Sequence, residues 1–339
     1  MVFALAVTNI SLSGKGVKMR QRSSTFWNSK KVLVTGGSGF LGKSLVPKLL
    51  KLGANVFIPR SAEFDLRNER NVKNLFNKIK PEIVVHLAVH GGGIGYMRKY
   101  PGRIYHDNIL INTHVTHYSM ISKVKKFVGI GTVCEYPKFT PAPFREQSLW
   151  NGYPEETNAP YGLAKKMLLV QSQAYRVEFG FNGIHLLLAN LFGPHDNFHP
   201  EHSHVVPGLI AKMVNAKMNG KTTVEVWGTG TASRDFLYVD DAVKGILLAT
   251  ERYDKPDPVN IGTGHEIIIN ELVHLVARLT KYDGNIVWNT DQPDGQPRRC
   301  LDVSKAKKEF GFESKTSLEQ GLKKTISWYE NEISKLKRT

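Results

Sequence analysis

The sequence predicts an α/β chain: a doubly wound parallel sheet with a smaller C-terminal α/β lobe. Three observations carry that expectation. Short apolar runs alternate with helix-period segments from Lys31 onward, glycines cluster directly after the first run, and no repeat or low-complexity tract interrupts the alternation. Runs that are apolar throughout, rather than at every second residue, suit strands covered by helices on both faces.

The elements follow in order. KVLVTG, from Lys31, is the first run and ends in glycine. Phe40 to Leu50 continues with Leu41, Leu45, Leu49 and Leu50 at helical spacing. ANVFI is the second run, Val72 to Ile79 the next helix, and EIVVHL the third run. A helix over Ile109 to Ile121 leads into KFVGIG, and GIHLLLA begins at Gly183. Later pieces are shorter: VEVW, VNIG and NIVW, with helical patterns at Asn270 to Leu279 and Leu318 to Tyr329. In the last, Leu318, Leu322, Ile326 and Tyr329 share one face. The expected division is a flexible basic extension over 1–29 and a dinucleotide-binding domain over 30–190, with a segment near 230–262 returning to it. Residues 191–229 and 263–339 form the lobe, and the cleft between the two is the expected site.

Composition narrows the function. The 339 residues include 41% hydrophobic ones, enough for a sizeable core. Forty-six Lys and Arg against 30 Asp and Glu give a formal charge of +16. Part of that excess is Lys15, Lys18, Arg20, Arg22, Lys30 and Lys31, in a stretch without acids. No RNA-binding aromatic signature or basic helical stripe accompanies it, so polyanionic metabolites are the expected partners and nucleic acid is not. No apolar run approaches the ~20 residues of a membrane span. The opening MVFALAV lacks a basic flank, so the start reads as an unstructured extension, with Met19 as an alternative start and a transit peptide as the minor reading. Two cysteines, Cys134 and Cys300, make neither a disulfide framework nor a zinc set, which fits a reducing, cytoplasmic setting.

TGGSGFLGKSL places Gly36, Gly39 and Gly42 between the first strand and its helix. The first glycine allows the tight turn and the second lets backbone approach a pyrophosphate. The third lets helix and strand pack closely, while the helix start at Phe40, Leu41 and Gly42 faces the anion. This is the Rossmann-type dinucleotide loop. After the second strand an NAD site usually carries an acid for the ribose 2′-hydroxyl. Here Pro59-Arg60-Ser61 stands there, and Arg60 is suited to fork onto a 2′-phosphate, which favours NADP(H); a solvated arginine is the plain alternative. Asp65 and Leu66, slightly later, are expected adenine contacts.

NAPYGLAKK sets Tyr161 and Lys165 four residues apart, on one helical face. A phenol titrates near 10, and a nearby ammonium is expected to lower that value. Such a pair can pass a proton to a carbonyl oxygen as hydride reaches carbon. Thr132, at a preceding strand end, is placed to donate a hydrogen bond to the same oxygen.

TGGSGFLG, HLAVHGGG, Thr132, PYGLAK and NLFGP together resemble the extended short-chain dehydrogenase/reductases, over about Lys31 to Glu330. Within them, GTVCEYPK, EETNAPYGLAKK, NLFGPHDNFHPEHSHVVP and VWGTGTASRDFLYVDD are similar to the GDP-L-fucose synthase family. That resemblance implies NADP(H), with Leu87 and Ala88 at the cofactor, a GDP-linked 4-keto sugar, a nucleotide-sugar lobe and a homodimer. It implies Cys134 as base and His204 as acid for epimerisation at C3 and C5, with Tyr161 then protonating the C4 oxygen during reduction. His202 is the neighbouring alternative to His204, and a strand-end core thiol the alternative for Cys134. Asn190 and Arg234 are expected at the sugar and its diphosphate, and Trp227, Gly228, and Arg298 or Arg299, at the nucleotide. No metal is expected. Three features depart from the family: Val133 replaces a serine, Val89-His90 follows HLA, and the N-terminal extension is foreign. A 4-reductase or 4-epimerase of another nucleotide sugar, such as a GDP-heptose or dideoxy sugar, is the alternative activity. A non-enzymatic NADP sensor is a further one, and RNA binding through the basic ends would be an added role.

Overall fold

In the computed structural model, which describes residues 23–200 and 202–336, the chain is already folded at Ser23. Ser23–Trp27 is a single helical turn, α1. Trp27 is fully buried, and its Nε1 donates to Glu251 Oε1 at 2.6 Å. Residues 23–29, expected within a flexible extension, are therefore pinned by the buried indole, its hydrogen bond to Glu251 and the Ser29 N–H on the Gly53 carbonyl at 2.8 Å. The expectations for residues 1–22 lie outside the described residues.

The predicted alternation then follows: β1 (Lys31–Thr35), α2 (Phe40–Lys51), β2 (Asn55–Phe57), α3 (Glu69–Ile79) and β3 (Ile83–His86). Next come α4 (Ile94–Lys99), α5 (Pro101–Ile121), β4 (Lys126–Thr132), α6 (Ala159–Phe179) and β5 (Gly183–Leu188). α5 starts eight residues before the expected Ile109. Pro101 opens it, where a missing N–H costs nothing. Asp107 and Asn108 are buried polar residues on its first turns, so the apolar periodicity that marks a helix is missing there.

Beyond β5 lie β6 (Asn190–Phe192), α7 (Val205–Met218), β7 (Thr223–Trp227), β8 (Ser233–Arg234), β9 (Phe236–Tyr238) and α8 (Val239–Arg252). They are followed by β10 (Val259–Ile261), β11 (Ile267–Ile268), α9 (Ile269–Thr280) and β12 (Asn285–Asn289). β13 (Arg298–Arg299), α10 (Ser304–Phe310) and α11 (Leu318–Leu336) complete the described chain.

Six parallel strands form the main sheet in the order β10-β5-β4-β3-β1-β2. The winding reverses between β1 and β3. Ligands of such sheets bind outside the carboxyl ends of the strands at that point. The glycine loop after β1, Leu87 after β3 and Thr132 at the end of β4 all sit along this edge.

A second core joins α7, α9 and α11 to the parallel pair β7–β12. The predicted face of α11 contributes: Leu322 and Ile326 are buried there, and Leu318 and Tyr329 pack against them. The returning segment supplies β10 to the main sheet, while Ala242, Val243, Ile246 and Ala249 of α8 enter the main core. One boundary differs from expectation. Leu301, Ala306, Phe310 and Phe312, expected in the lobe, also belong to the main core, because these apolar side chains cover α8 and β10.

Candidate active site

The three glycines do three different jobs. Gly36 has φ +67°, and a Cβ there would lie 2.8 Å from the backbone nitrogen of Ala88. A Cβ at Gly42 would lie 2.4 Å from the carbonyl oxygen of Gly37, so only glycine lets α2 close onto the loop. Gly39 caps α2 with no side-chain hydrogen bond, which leaves the first helical N–H groups to meet an anion. Phe40, Leu41, Gly42 and Lys43 line one end of a cavity of about 870 Å³, and the first turn carries no acid. These residues fit the pyrophosphate of a dinucleotide.

At the end of β2, Arg60 is exposed and has no carboxylate partner among the described residues. The nearby Glu63 is occupied by Lys78 at 2.9 Å. Asp65 is bound by Arg67 at 2.8 Å, which holds its carboxyl below the usual range. Leu66 packs against the core cluster that holds Val72 and Phe76, and its carbonyl accepts from His114 Nδ1 at 3.2 Å. Ala88 donates its N–H to Thr35 Oγ1 at 3.2 Å. Arg60, Asp65, Leu66 and Ala88 thus stand outside the cavity wall, whereas Leu87 lines it.

β4 delivers Thr132 and Cys134 through a short turn. Thr132 N donates to Glu135 Oε1 at 2.8 Å, and Thr132 Oγ1 accepts from Cys134 N at 3.3 Å. This capping box holds both side chains at the strand mouth. α6 presses against the same turn, since a Cβ at Gly162 would lie 2.2 Å from the Cys134 carbonyl oxygen. That contact brings Tyr161 and Lys165 to Thr132 and Cys134, and all four line the cavity.

The expectation that Lys165 depresses the phenol is corrected by this geometry. Burial pushes Tyr161 above its ordinary value, with Cys134 and Glu135 adding to the effect. Burial pulls Lys165 down to about 8, against Glu135. Desolvation dominates at Tyr161, and the phenol keeps its proton. A hydrogen-bond chain fixes the surroundings. Ala88 N–H meets Thr35 Oγ1, which donates to His86 Nδ1 at 2.7 Å; His86 Nε2 meets Asn112 Oδ1 at 3.0 Å; and Asn112 Nδ2 donates to the Ala164 carbonyl at 3.1 Å. Burial pulls His86 down to about 3, with Lys165 adding, so its ring is neutral.

The lobe supplies the opposite wall. His204 caps α7 and opens into the cavity. Its side chain is exposed to the open cleft; desolvation by the surrounding walls, with Arg299 contributing, holds its imidazole below the ordinary value. Arg234 donates to the Ser233 carbonyl at 2.7 Å and the Asp294 carbonyl at 2.9 Å. Burial pulls it to about 9; Arg299 adds to this, and Cys134 leads the opposing charges. Arg299 donates to Gln296 Oε1 at 2.9 Å. Both guanidiniums are buried, and neither makes a salt bridge among the described residues. Asn190 and Trp227 also line the cavity.

Two expected residues do not. Arg298 precedes Arg299 on β13 and so points the other way, to Glu266 Oε2 at 3.3 Å. Gly228 has φ +86°, and a Cβ there would lie 2.3 Å from Asp294 Oδ1, so it serves the turn.

Other cavity residues escaped the sequence reading. Asn158 faces Cys134, with Sγ 3.8 Å from Oδ1. Glu135, buried behind the cavity wall, also escaped it despite a signal, the Thr132-x-x-Glu135 spacing of a capping box. Lys212, two helical turns after His204, sits 5.8 Å from the Trp227 ring centre. Asp196 is buried and pushed up to about 7, and its Oδ2 has no partner among the described residues. The histidines of this loop part ways: His195 packs on Trp328 at 4.9 Å and His199 stacks on His202 at 4.7 Å.

The sequence profile of the NAD dependent epimerase/dehydratase family matches residues 32–262. GDP-L-fucose synthase 1 of Arabidopsis thaliana is 39% identical over 302 residues, covering 89% of this chain and 93% of that protein. GDP-L-fucose synthase of Escherichia coli K12 is 33% identical over 312 residues, covering 89% and 97%. A GDP-L-fucose synthetase from Naegleria fowleri bound to NADP superimposes with a TM-score of 0.82 at 29% identity, covering 91% of this chain and 96% of that one. A GDP-6-OMe-4-keto-L-xylo-heptose reductase from Campylobacter jejuni gives 0.85 at 29% identity, covering 90% and 99%. The chain belongs to the NAD dependent epimerase/dehydratase family.

Proposed function

We propose that this chain is an NADP(H)-dependent enzyme that epimerises a GDP-linked 4-keto-6-deoxy sugar at C3 and C5 and then reduces it at C4, converting GDP-4-keto-6-deoxy-D-mannose to GDP-L-fucose. One observation carries the reading: Cys134, the Tyr161–Lys165 pair and His204 line one cavity that also holds two buried, unpaired arginines. Its similarity to GDP-L-fucose synthases supports it.

Gly36, Gly39 and the start of α2 would hold NADPH, with Arg60 toward its 2′-phosphate, and the bound cofactor would supply hydride. The protein's own groups do the rest. The substrate's C4 ketone acidifies the hydrogens on both neighbouring carbons. Cys134 Sγ removes one of them from one face, and His204 returns a proton from the other. Thr132 and Tyr161 hold the C4 oxygen through both halves. In the reductive half, Tyr161 gives that oxygen its proton, and Lys165 replenishes the charge balance beside it. Arg234 and Arg299 take the substrate's negative charge, with Asn190, Trp227 and Lys212 along the nucleotide. A thiol alone would serve as a core residue; His204 across the cleft makes it half of a proton-transfer pair.

A homodimer belongs to the same proposal. α5 and α6 pack together and leave Tyr105, Ile121, Met167, Val170 and Phe179 exposed on their outer faces, a surface suited to a second copy. No helix among the described residues is long and apolar enough to cross a membrane, and a cytoplasmic location is part of this reading.

The test is turnover in deuterated water with NADPH. Deuterium at C3 and C5 of the product is expected. Reduction without it would leave a plain 4-reductase. No NADPH oxidation with any 4-keto nucleotide sugar would remove the enzyme reading altogether.

A further inference from the structure

His90 belongs to a polar network that the mechanism above does not use. Asp107, buried on α5, accepts from His90 Nδ1 at 2.8 Å, Arg67 Nη1 at 3.2 Å and His106 Nδ1 at 3.0 Å. With Nδ1–H given to Asp107, His90 Nε2 is the acceptor for the Tyr96 hydroxyl, 2.7 Å away. Asn108 locks the His90 backbone from both sides: it accepts from His90 N at 3.0 Å and donates to His90 O at 2.7 Å. The network therefore sets the Tyr96 ring rigidly.

That ring reaches the lobe. Tyr96 meets the His202 ring edge-on at 5.1 Å. Beside it, Gly93 N donates to the His202 carbonyl at 3.0 Å. A Cβ at Gly93 would lie 2.2 Å from the Ser203 carbonyl oxygen, so the two backbones touch. His204 is the next residue and caps α7.

We propose that Asp107, His90 and Tyr96 form a clamp from the sheet domain to the His202–Ser203 segment, and that this clamp positions His204 across the cleft from Cys134. Tyr96 and His90 are positioning residues; they act through His204. The consequence is selective. Thr132, Tyr161 and Lys165 all stand on the sheet domain, so the reducing groups keep their places whatever the position of the His202–Ser203 segment. Proton transfer at C3 and C5 needs Cys134 and His204 on opposite faces of one carbon, a distance set across the two domains. The clamp therefore governs the epimerising half and leaves the reducing half alone. This consequence rests on the function proposed above.

The test uses NADPH-loaded enzyme, Tyr96→Ala, Tyr96→Phe, His204→Ala and the Tyr96→Ala/His204→Ala double variant. Amide hydrogen exchange read by mass spectrometry should quicken over residues 195–208 in Tyr96→Ala, whatever the enzyme's reaction. Solvent deuterium entry at C3 and C5 should fall by about 10- to 100-fold, the cost of a misplacement near 1 Å. Reduction of the already epimerised ketone should stay at the wild-type rate. In the His204→Ala background, Tyr96→Ala should cost nothing further. Should Tyr96→Ala fail to fold, Tyr96→Phe, which removes only the hydroxyl, should show the same pattern more weakly. Unchanged amide exchange over 195–208, equal losses in both half-reactions, or an additive loss in the double variant would each overturn the clamp. If wild-type enzyme exchanges no deuterium, the proposed function falls, while the amide data still decide whether the clamp exists.

Discussion

Two regions of this molecule bury charged groups in opposite ways. Behind the mouth of β4, Glu135 is fully buried and its carboxylate is met inside the chain, with His185 Nε2 3.1 Å from both oxygens. Glu135 also accepts from Thr132 N, so it serves the fold of the turn. Across the cleft, Arg234 and Arg299 are buried with only neutral oxygens as hydrogen-bond partners. Removing charge from water is costly unless a counter-charge replaces the water. The first region meets that cost within the chain. The second meets it only in part, through the nearby Asp294 and Glu155, so the two arginines stay open to an anionic ligand while the first pair serves the turn.

Substitutions can break this contrast, and Lys165 gives the largest effect. Lys165→Met should slow reduction by about 10²- to 10⁴-fold, since it removes the charge beside the proton donor. It should also stabilise the protein at neutral pH by roughly 3 kcal/mol, because the buried ammonium is lost. The sign follows from its value of about 8 against an ordinary 10.5. Between those values the unfolded chain binds more protons, so the Lys165 contribution to stability rises with pH through that window and its cost is complete below it. Wild-type reduction should correspondingly decline as pH rises through about 8. Rate–pH profiles and thermal melts of the two proteins check both halves; a Lys165→Met protein that melts lower would contradict the desolvation account.

Glu135→Ala tests the structural pair. It leaves Thr132 N and His185 Nε2 without an acceptor, and should cost about 3 kcal/mol by denaturant titration. Arg234→Met should act in the opposite sense, raising stability by about 1–2 kcal/mol while raising the Michaelis constant for the nucleotide sugar roughly 10- to 100-fold. If both substitutions destabilise equally, the distinction between the two regions is lost. Arg60→Ala is the smallest: the Michaelis constant for NADPH should rise about tenfold and that for NADH hardly at all. Equal changes for the two cofactors would detach Arg60 from the 2′-phosphate.

The cofactor half of the site was legible because it is contiguous. Gly36, Gly39 and Gly42 fall within seven residues between one strand and one helix, and Tyr161 and Lys165 share one helical turn. Local steric rules are enough to read such groups. The lobe half was legible only in pieces. Arg298 and Arg299 are adjacent in the chain, and strand alternation decides which one faces the cavity. Lys212, Asn158 and Asp196 gain their place only when α7, the α6 start and the histidine loop close on the cleft.

The sequence by itself determined the alternating fold, the dinucleotide loop, the Tyr161–Lys165 pair and the leaning toward NADP(H). Each rests on spacing within one or two elements, where backbone geometry leaves few choices. Tertiary structure alone decided that Trp27 belongs to the core and that residues 301–312 return to the large domain. It also decided that Tyr161 keeps its proton, that Arg299 rather than Arg298 enters the site, and that Tyr96 reaches His202. Burial and distance set these, and both depend on segments far apart in the chain, so no local pattern could carry them.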